Sequence, residues 1–137
     1  MKTQIVSDGV YSPSGLFSHA ITVGPGRILF SSGFLSRDPV SGAVAPAGDV
    51  AEQTRRCLSN IERVLNCAGG TRSDIVKMTV YLSAQANYQK MNAVRREMLA
   101  GIDYASTTVI SGLVDPEALV EIDIVALLSE AAAAVDD

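Results

Sequence analysis

The 137-residue sequence contains no tryptophan, two cysteines and one histidine, and its aromatic residues amount to only 5%. With so few soft ligands, no tetrahedral zinc set can be assembled, and no metal is expected. Cys57 and Cys67 fall ten residues apart on one expected helix, about 15 Å along its axis. A disulfide needs Cα atoms within roughly 7 Å, so these two cannot pair, and they read as buried structural thiols suited to a reducing compartment. No apolar run approaches the roughly 20 residues that span a bilayer, and Met1-Lys2-Thr3-Gln4 lacks the apolar stretch of a signal peptide. A cytoplasmic protein without a membrane partner is expected. GxGxxG, P-loop, HExxH and GxSxG motifs are all missing, and no cofactor is expected. Positive charge is also short, with 11 Lys and Arg against 15 Asp and Glu, a net charge of −4 that repels a phosphate backbone. Nucleic acid is therefore not an expected partner.

What is present is apolar: 47% hydrophobic and 19% charged residues describe a chain able to bury a core. The length suits one domain, placed at residues 1–128, followed by an Ala-rich acidic tail at 129–137 that frays or extends into solvent. Ala20-Ile21-Thr22-Val23 and Arg27-Ile28-Leu29-Phe30-Ser31 are β-prone runs, and Gly24-Pro25-Gly26 between them is read as a hairpin turn. From Asp49 the set Val50, Cys57, Leu58, Ile61, Val64, Leu65 and Ala68 recurs at helical spacing until Gly69-Gly70. Ile75 to Leu82 forms a strand with a central position. Residues 87–99 return to helical spacing, with Tyr88, Met91, Val94, Met98 and Leu99 on one side and Lys90, Arg95, Arg96 and Glu97 on the other. Strands at 106–110 and 119–128, separated by a turn at Asp115-Pro116, complete a ββαβαββ order.

Two amphipathic helices each bury one stripe, which places both on one face of the sheet. No third helix remains to cover the other face, so a second copy of the chain in a closed symmetric oligomer is the expected cover. In Leu119 to Ala126, strand alternation sets Glu121, Asp123 and Val125 on one side. Two acids on one face of an apolar strand are open to two readings. Either they are solvated or paired with cations of a neighbouring subunit, or a carboxyl lines an interface cleft whose apolar surroundings suit it to proton transfer. A lone histidine such as His19 is more often structural.

Tyr11-Ser12-Pro13 through Phe17-Ser18-His19-Ala20 and Leu29-Phe30-Ser31-Ser32-Gly33 resemble the N-terminal motifs of the RidA/YjgF/UK114 (Rid) family. The likeness continues through Asp49 to Gly69, Val76 to Leu82, Asn92 and Val120-Glu121-Ile122-Asp123. It implies an α+β, chorismate-mutase-like fold of ββαβαββ order with two helices on one face of the sheet, assembled as a homotrimer with clefts between subunits. It also implies hydrolysis of imines and enamines, such as 2-iminopropanoate and 2-iminobutanoate, to a keto acid and ammonia. In such clefts an arginine holds the substrate carboxylate at two points and a glutamate, matched here by Glu121, activates water.

The sequence departs from that pattern where the family arginine stands, because Tyr104-Ala105-Ser106-Thr107 puts Ser106 there. Serine cannot make the planar two-point contact of a guanidinium. Phe17 replaces a family tyrosine, and His19 and Phe34 replace glutamines, so a less cationic, more aromatic pocket is expected. The expected site comprises Glu121 as acid/base with Thr108 as catalytic groups, and Phe17, His19, Ser32, Gly33, Phe34, Asn92 and Ser106 as the substrate-binding set. Small α-imino acids would then enter without a counter-ion, which favours a neutral or larger C=N or enamine substrate. The competing class is a non-catalytic trimer that binds a small metabolite in the same cleft or regulates a partner.

Overall fold

The computed structural model describes residues 1–11 and 15–130. Ser12 and Pro13 of the first motif and most of the acidic tail lie outside the described residues. The elements run β1 (Lys2–Ile5), β2 (Ala20–Val23), β3 (Arg27–Phe30), α1 (Val50–Cys67), β4 (Ile75–Leu82), α2 (Tyr88–Met98), β5 (Ala105–Ile110) and β6 (Val120–Leu128). Strands β3, β6, β4 and β5, in that spatial order, form a mixed sheet in which only β4 and β5 are parallel.

β1 is an addition to the expected order, and it changes the reading of Gly24-Pro25-Gly26. β2 pairs with β1, from Lys2 opposite Val23 to Ile5 opposite Ala20, while β3 pairs with β6. Among the described residues no ladder joins β2 to β3, so the turn links two sheets instead of closing a hairpin. A tight hairpin turn needs a residue at positive φ, and neither Gly24 nor Gly26 takes one.

Helix α1 begins where Asp49 accepts a hydrogen bond from the Glu52 N–H at 3.0 Å. It ends in a Schellman turn: Gly69, at φ +85°, donates to Asn66 O, and Gly70 donates to Leu65 O. The stripe formed by Val50, Cys57, Leu58, Ile61 and Leu65 packs with Met91, Val94 and Leu99 onto Met78, Val80, Ile122 and Ile124 of the sheet. Cys67, expected to be buried, is exposed at the helix end, whereas Cys57 is buried; both are free thiols.

Alternation along β6 buries Val120, Ile122, Ile124, Ala126 and Leu128 beneath the helices and turns Glu121, Asp123, Val125 and Leu127 to the opposite face. Ile28 and Phe30 of β3 lie opposite Leu127 and Val125 on that same face, and Phe30 is 76% exposed. Among the described residues nothing covers this apolar stretch of the sheet face, as the missing third helix requires.

Candidate functional site

The expected site residues fall into two groups on opposite faces of the sheet. The first lies where α2 packs on β5. Helical spacing from Tyr88 brings Met91, Asn92 and Arg95 to the sheet side of α2, and Arg95 is completely buried. Its assignment to the solvent side of the helix was wrong: position 95 continues the 88, 91, 92 stripe, and position outweighs charge. Arg95 Nη1 donates to Ser106 Oγ at 2.7 Å and Nη2 donates to Asn92 Oδ1 at 2.8 Å. Its guanidinium carbon stands 5.8 Å from the centre of the Phe17 ring, within cation–π range.

No carboxylate pairs with Arg95 among the described residues, and its Nε has no partner. Burial pulls its pKa below the ordinary arginine value and pushes that of Tyr104 beside it above the ordinary tyrosine value. Phe17, Asn92 and Ser106 line a cavity of about 690 Å³ together with Lys77 and Arg96. A second cavity of about 510 Å³ shares Phe17, Tyr88 and Ser106 with it and reaches Thr108 and Gln85. Among the described residues neither lining includes an Asp or Glu. The cleft is thus more cationic than the Ser106 position implied, because the charge has come from α2, which sequence reading had turned outward.

His19 borders the first cavity, but both ring nitrogens are engaged. Nδ1 accepts from the Ser7 N–H at 3.0 Å, which assigns the ring proton to Nε2, 2.9 Å from Tyr11 O. The ring ties the segment before β2 to the N-terminal strand region. The neighbouring Ser18 N–H donates to Tyr104 O at 2.8 Å and so fixes Phe17 against β5.

The second group surrounds Glu121. Phe34 bridges Ile122 through both backbone hydrogen bonds, which carries the exposed Ser32-Gly33 backbone past the start of β6. The Glu121 carboxylate covers Gly33 so closely that a Cβ there would overlap Oε2. Among the described residues Glu121 has neither a hydrogen bond nor an ion pair, while Asp123 accepts from the Tyr81 hydroxyl at 3.0 Å. That bond, ahead of burial, raises the Tyr81 pKa. Glu121 opens onto a groove of about 760 Å³ with Arg37, Asn60 and Arg63.

Register keeps the groups apart. Tyr81 lies opposite Glu121, whereas its sequence neighbour Val80 lies opposite Thr108, and Met78 lies opposite Ser106. Glu121 therefore points away from the helices while Ser106 and Thr108 point toward them, with β4 between, roughly 10 Å across two strand spacings. The sequence points to Phe17, Asn92, Ser106 and Thr108 in the first group and to Ser32, Gly33, Phe34 and Glu121 in the second, but not to Lys77, Gln85, Asn60, Arg63 or Arg95; for Arg95 the helical stripe is the available signal.

The family model described as endoribonuclease L-PSP matches residues 10–128. A RutC family protein of Pyrococcus horikoshii is 34% identical over 126 residues, covering 92% of this chain and 98% of its own. A crystal structure of a Rid family protein from Yersinia pestis superposes with a TM-score of 0.77 at 28% identity, covering 93% of this chain and 98% of that one. A YjgF family member from Neisseria meningitidis follows at TM-score 0.64 and 30% identity, covering 86% and 90%.

Proposed function

Because the chain belongs to the endoribonuclease L-PSP (Rid) family, we propose that it hydrolyses a small imine or enamine in a cleft shared between subunits of a homotrimer. The observation that carries this reading is Glu121, a carboxylate without a partner among the described residues, held over the Gly33 backbone. A base needs a free lone pair and access to water, and Glu121 has both beside its groove.

An enamine first tautomerises to the imine. Glu121 then takes a proton from water as the water oxygen bonds to the C=N carbon and hands that proton to the nitrogen, which gives a carbinolamine. It next takes the hydroxyl proton as the carbonyl forms and passes it to the departing nitrogen, so the C–N bond breaks with loss of ammonia and Glu121 ends as the carboxylate. Ser106, Thr108, Asn92 and Phe17 hold the substrate from the other side, which requires that face of one subunit to meet the Glu121 face of its neighbour. Uncovered Ile28 and Phe30 on the Glu121 side support such an assembly.

The test is hydrolysis of freshly generated 2-iminobutanoate by wild type and by Glu121→Gln, which keeps the shape and removes the base. Turnover that falls roughly 10²- to 10⁴-fold in the variant is expected. Equal turnover in both proteins would overturn the role of Glu121. Ligand binding without turnover by the wild type would replace the enzyme with a non-catalytic metabolite-binding assembly.

A further inference from the structure

We propose that Arg95 is the positioning residue for a substrate carboxylate, acting through Ser106 and Asn92 as a relayed pair of donors. The inference deepens the hydrolase reading and rests on it for the reaction, though not for the binding.

Hydrogen-bond direction carries it. Arg95 has donors only, so Ser106 Oγ and Asn92 Oδ1 must both accept from it, at 2.7 and 2.8 Å. Once its oxygen accepts, the Ser106 hydroxyl has its own proton left to give, and no acceptor takes that proton among the described residues. With Oδ1 fixed on Arg95, Asn92 likewise offers its amide N–H pair to the cavity that both residues line. One guanidinium thus orients two neutral donor groups on a single cavity wall, one for each oxygen of a carboxylate.

Charge points the same way. A buried cation without a counter-ion is costly, and Arg95 is fully buried with Nε unpartnered. Lys77 and Arg96 line the same cavity, no Asp or Glu does among the described residues, and the chain as a whole carries a net charge of −4. A bound anion would supply the missing opposite charge. The expectation of an uncharged substrate followed from Ser106 alone, and Arg95 reverses it.

The probes are 2-oxobutanoate and its methyl ester, equal in shape near the carbonyl but different in charge, titrated calorimetrically into wild type, Ser106→Ala and Arg95→Lys. Wild type is expected to favour the acid at least 10-fold. Ser106→Ala, which removes the hydroxyl donor together with one acceptor of buried Arg95, should weaken the acid about 10- to 100-fold and the ester much less, the range of a charge-assisted hydrogen bond. Arg95→Lys, which keeps the charge but replaces the planar fork with a single point of donation, should lose most of the same preference. With 2-iminobutanoate, Ser106→Ala should raise KM more than it lowers kcat, the reverse of Glu121→Gln. Equal binding of acid and ester by wild type, or an unchanged acid affinity in Ser106→Ala, would overturn the proposal. Inorganic phosphate binding more tightly than the keto acid would overturn the carboxylate assignment. Acid preference without imine hydrolysis would uphold this inference and sink the hydrolase reading, whereas hydrolysis without charge preference would do the opposite.

Discussion

The Glu121 carboxylate lies against the backbone of Gly33, in space that any side chain at residue 33 would occupy. Gly33 has no positive φ to preserve, so the backbone itself accepts alanine. The atom in the way is the end of a flexible side chain, which can swing aside at small cost. Gly33→Ala should therefore change unfolding free energy by less than about 1 kcal/mol while displacing the proposed base. A shift of that kind lowers turnover by roughly 100-fold. Denaturant melts beside 2-iminobutanoate kinetics check the pairing of normal stability with lost activity.

Glu121 and Ser106 cannot reach one substrate within a chain, since they point from opposite faces of the sheet. Activity should then depend on assembly through the uncovered face around Phe30, which is 76% exposed. If the proposed homotrimer uses this face, Phe30→Lys should reduce the mass in light scattering from three times 14.4 kDa to 14.4 kDa, keep its circular dichroism spectrum, and abolish hydrolysis. A trimeric, active Phe30→Lys protein would remove this face from the interface.

Periodicity made both helices legible, because Val50 to Leu65 and Tyr88 to Leu99 bury most of the spacings their apolar residues mark, with Val64 the exception on the exposed side of α1. It also placed Glu121 and Asp123 together on the side of β6 away from the core. It failed at Lys2–Ile5, whose alternation is too polar to announce a strand, and there the partner of β2 stayed hidden. Without β1, two adjacent β-prone runs around Gly24-Pro25-Gly26 look like a hairpin. Arg95 escaped for a different reason. In the sequence its charge marks the solvent side, and only the packing of α2 on β5 reveals the acceptors that make its burial tolerable. Nor does sequence give strand register, which decides that Thr108 and Glu121 face apart.

The two cysteines should separate cleanly in reactivity. Burial pushes the Cys57 thiol up to about 12, and its Sγ donates to Phe34 O at 3.3 Å. Cys67 is exposed. Thiolate is the reactive form, so a thiol reagent at pH 8 should titrate Cys67 rapidly and Cys57 only on unfolding. Since the folded state holds the Cys57 proton more tightly than the unfolded chain, its contribution is intact below about pH 9. Stability should fall as pH rises from there toward 12, by at most about 1.4 kcal/mol per pH unit from this group. Replacing Cys57 by Ala should flatten that slope in alkaline melts, and an unchanged slope would assign the loss to other groups.

Putting an arginine at residue 106 tests whether the charge has moved or has vanished. Had the cleft lost its cation, Ser106→Arg would restore the guanidinium fork and improve turnover of 2-iminobutanoate. Arg95 Nη1, however, already rests 2.7 Å from Ser106 Oγ. A second guanidinium there meets a buried like charge and removes one of its two acceptors, so the single variant should lose about 1–3 kcal/mol of stability and gain no activity. Arg95→Gln alone should lose the charge preference for carboxylates. Combining Arg95→Gln with Ser106→Arg moves the cation from helix to strand, and the pair should recover both stability and turnover beyond the sum of the single changes. A favourable coupling of 0.5–3 kcal/mol, roughly the range for residues in contact, is expected from the double-mutant cycle. Strict additivity would mean that residues 95 and 106 do not share the task of holding the substrate.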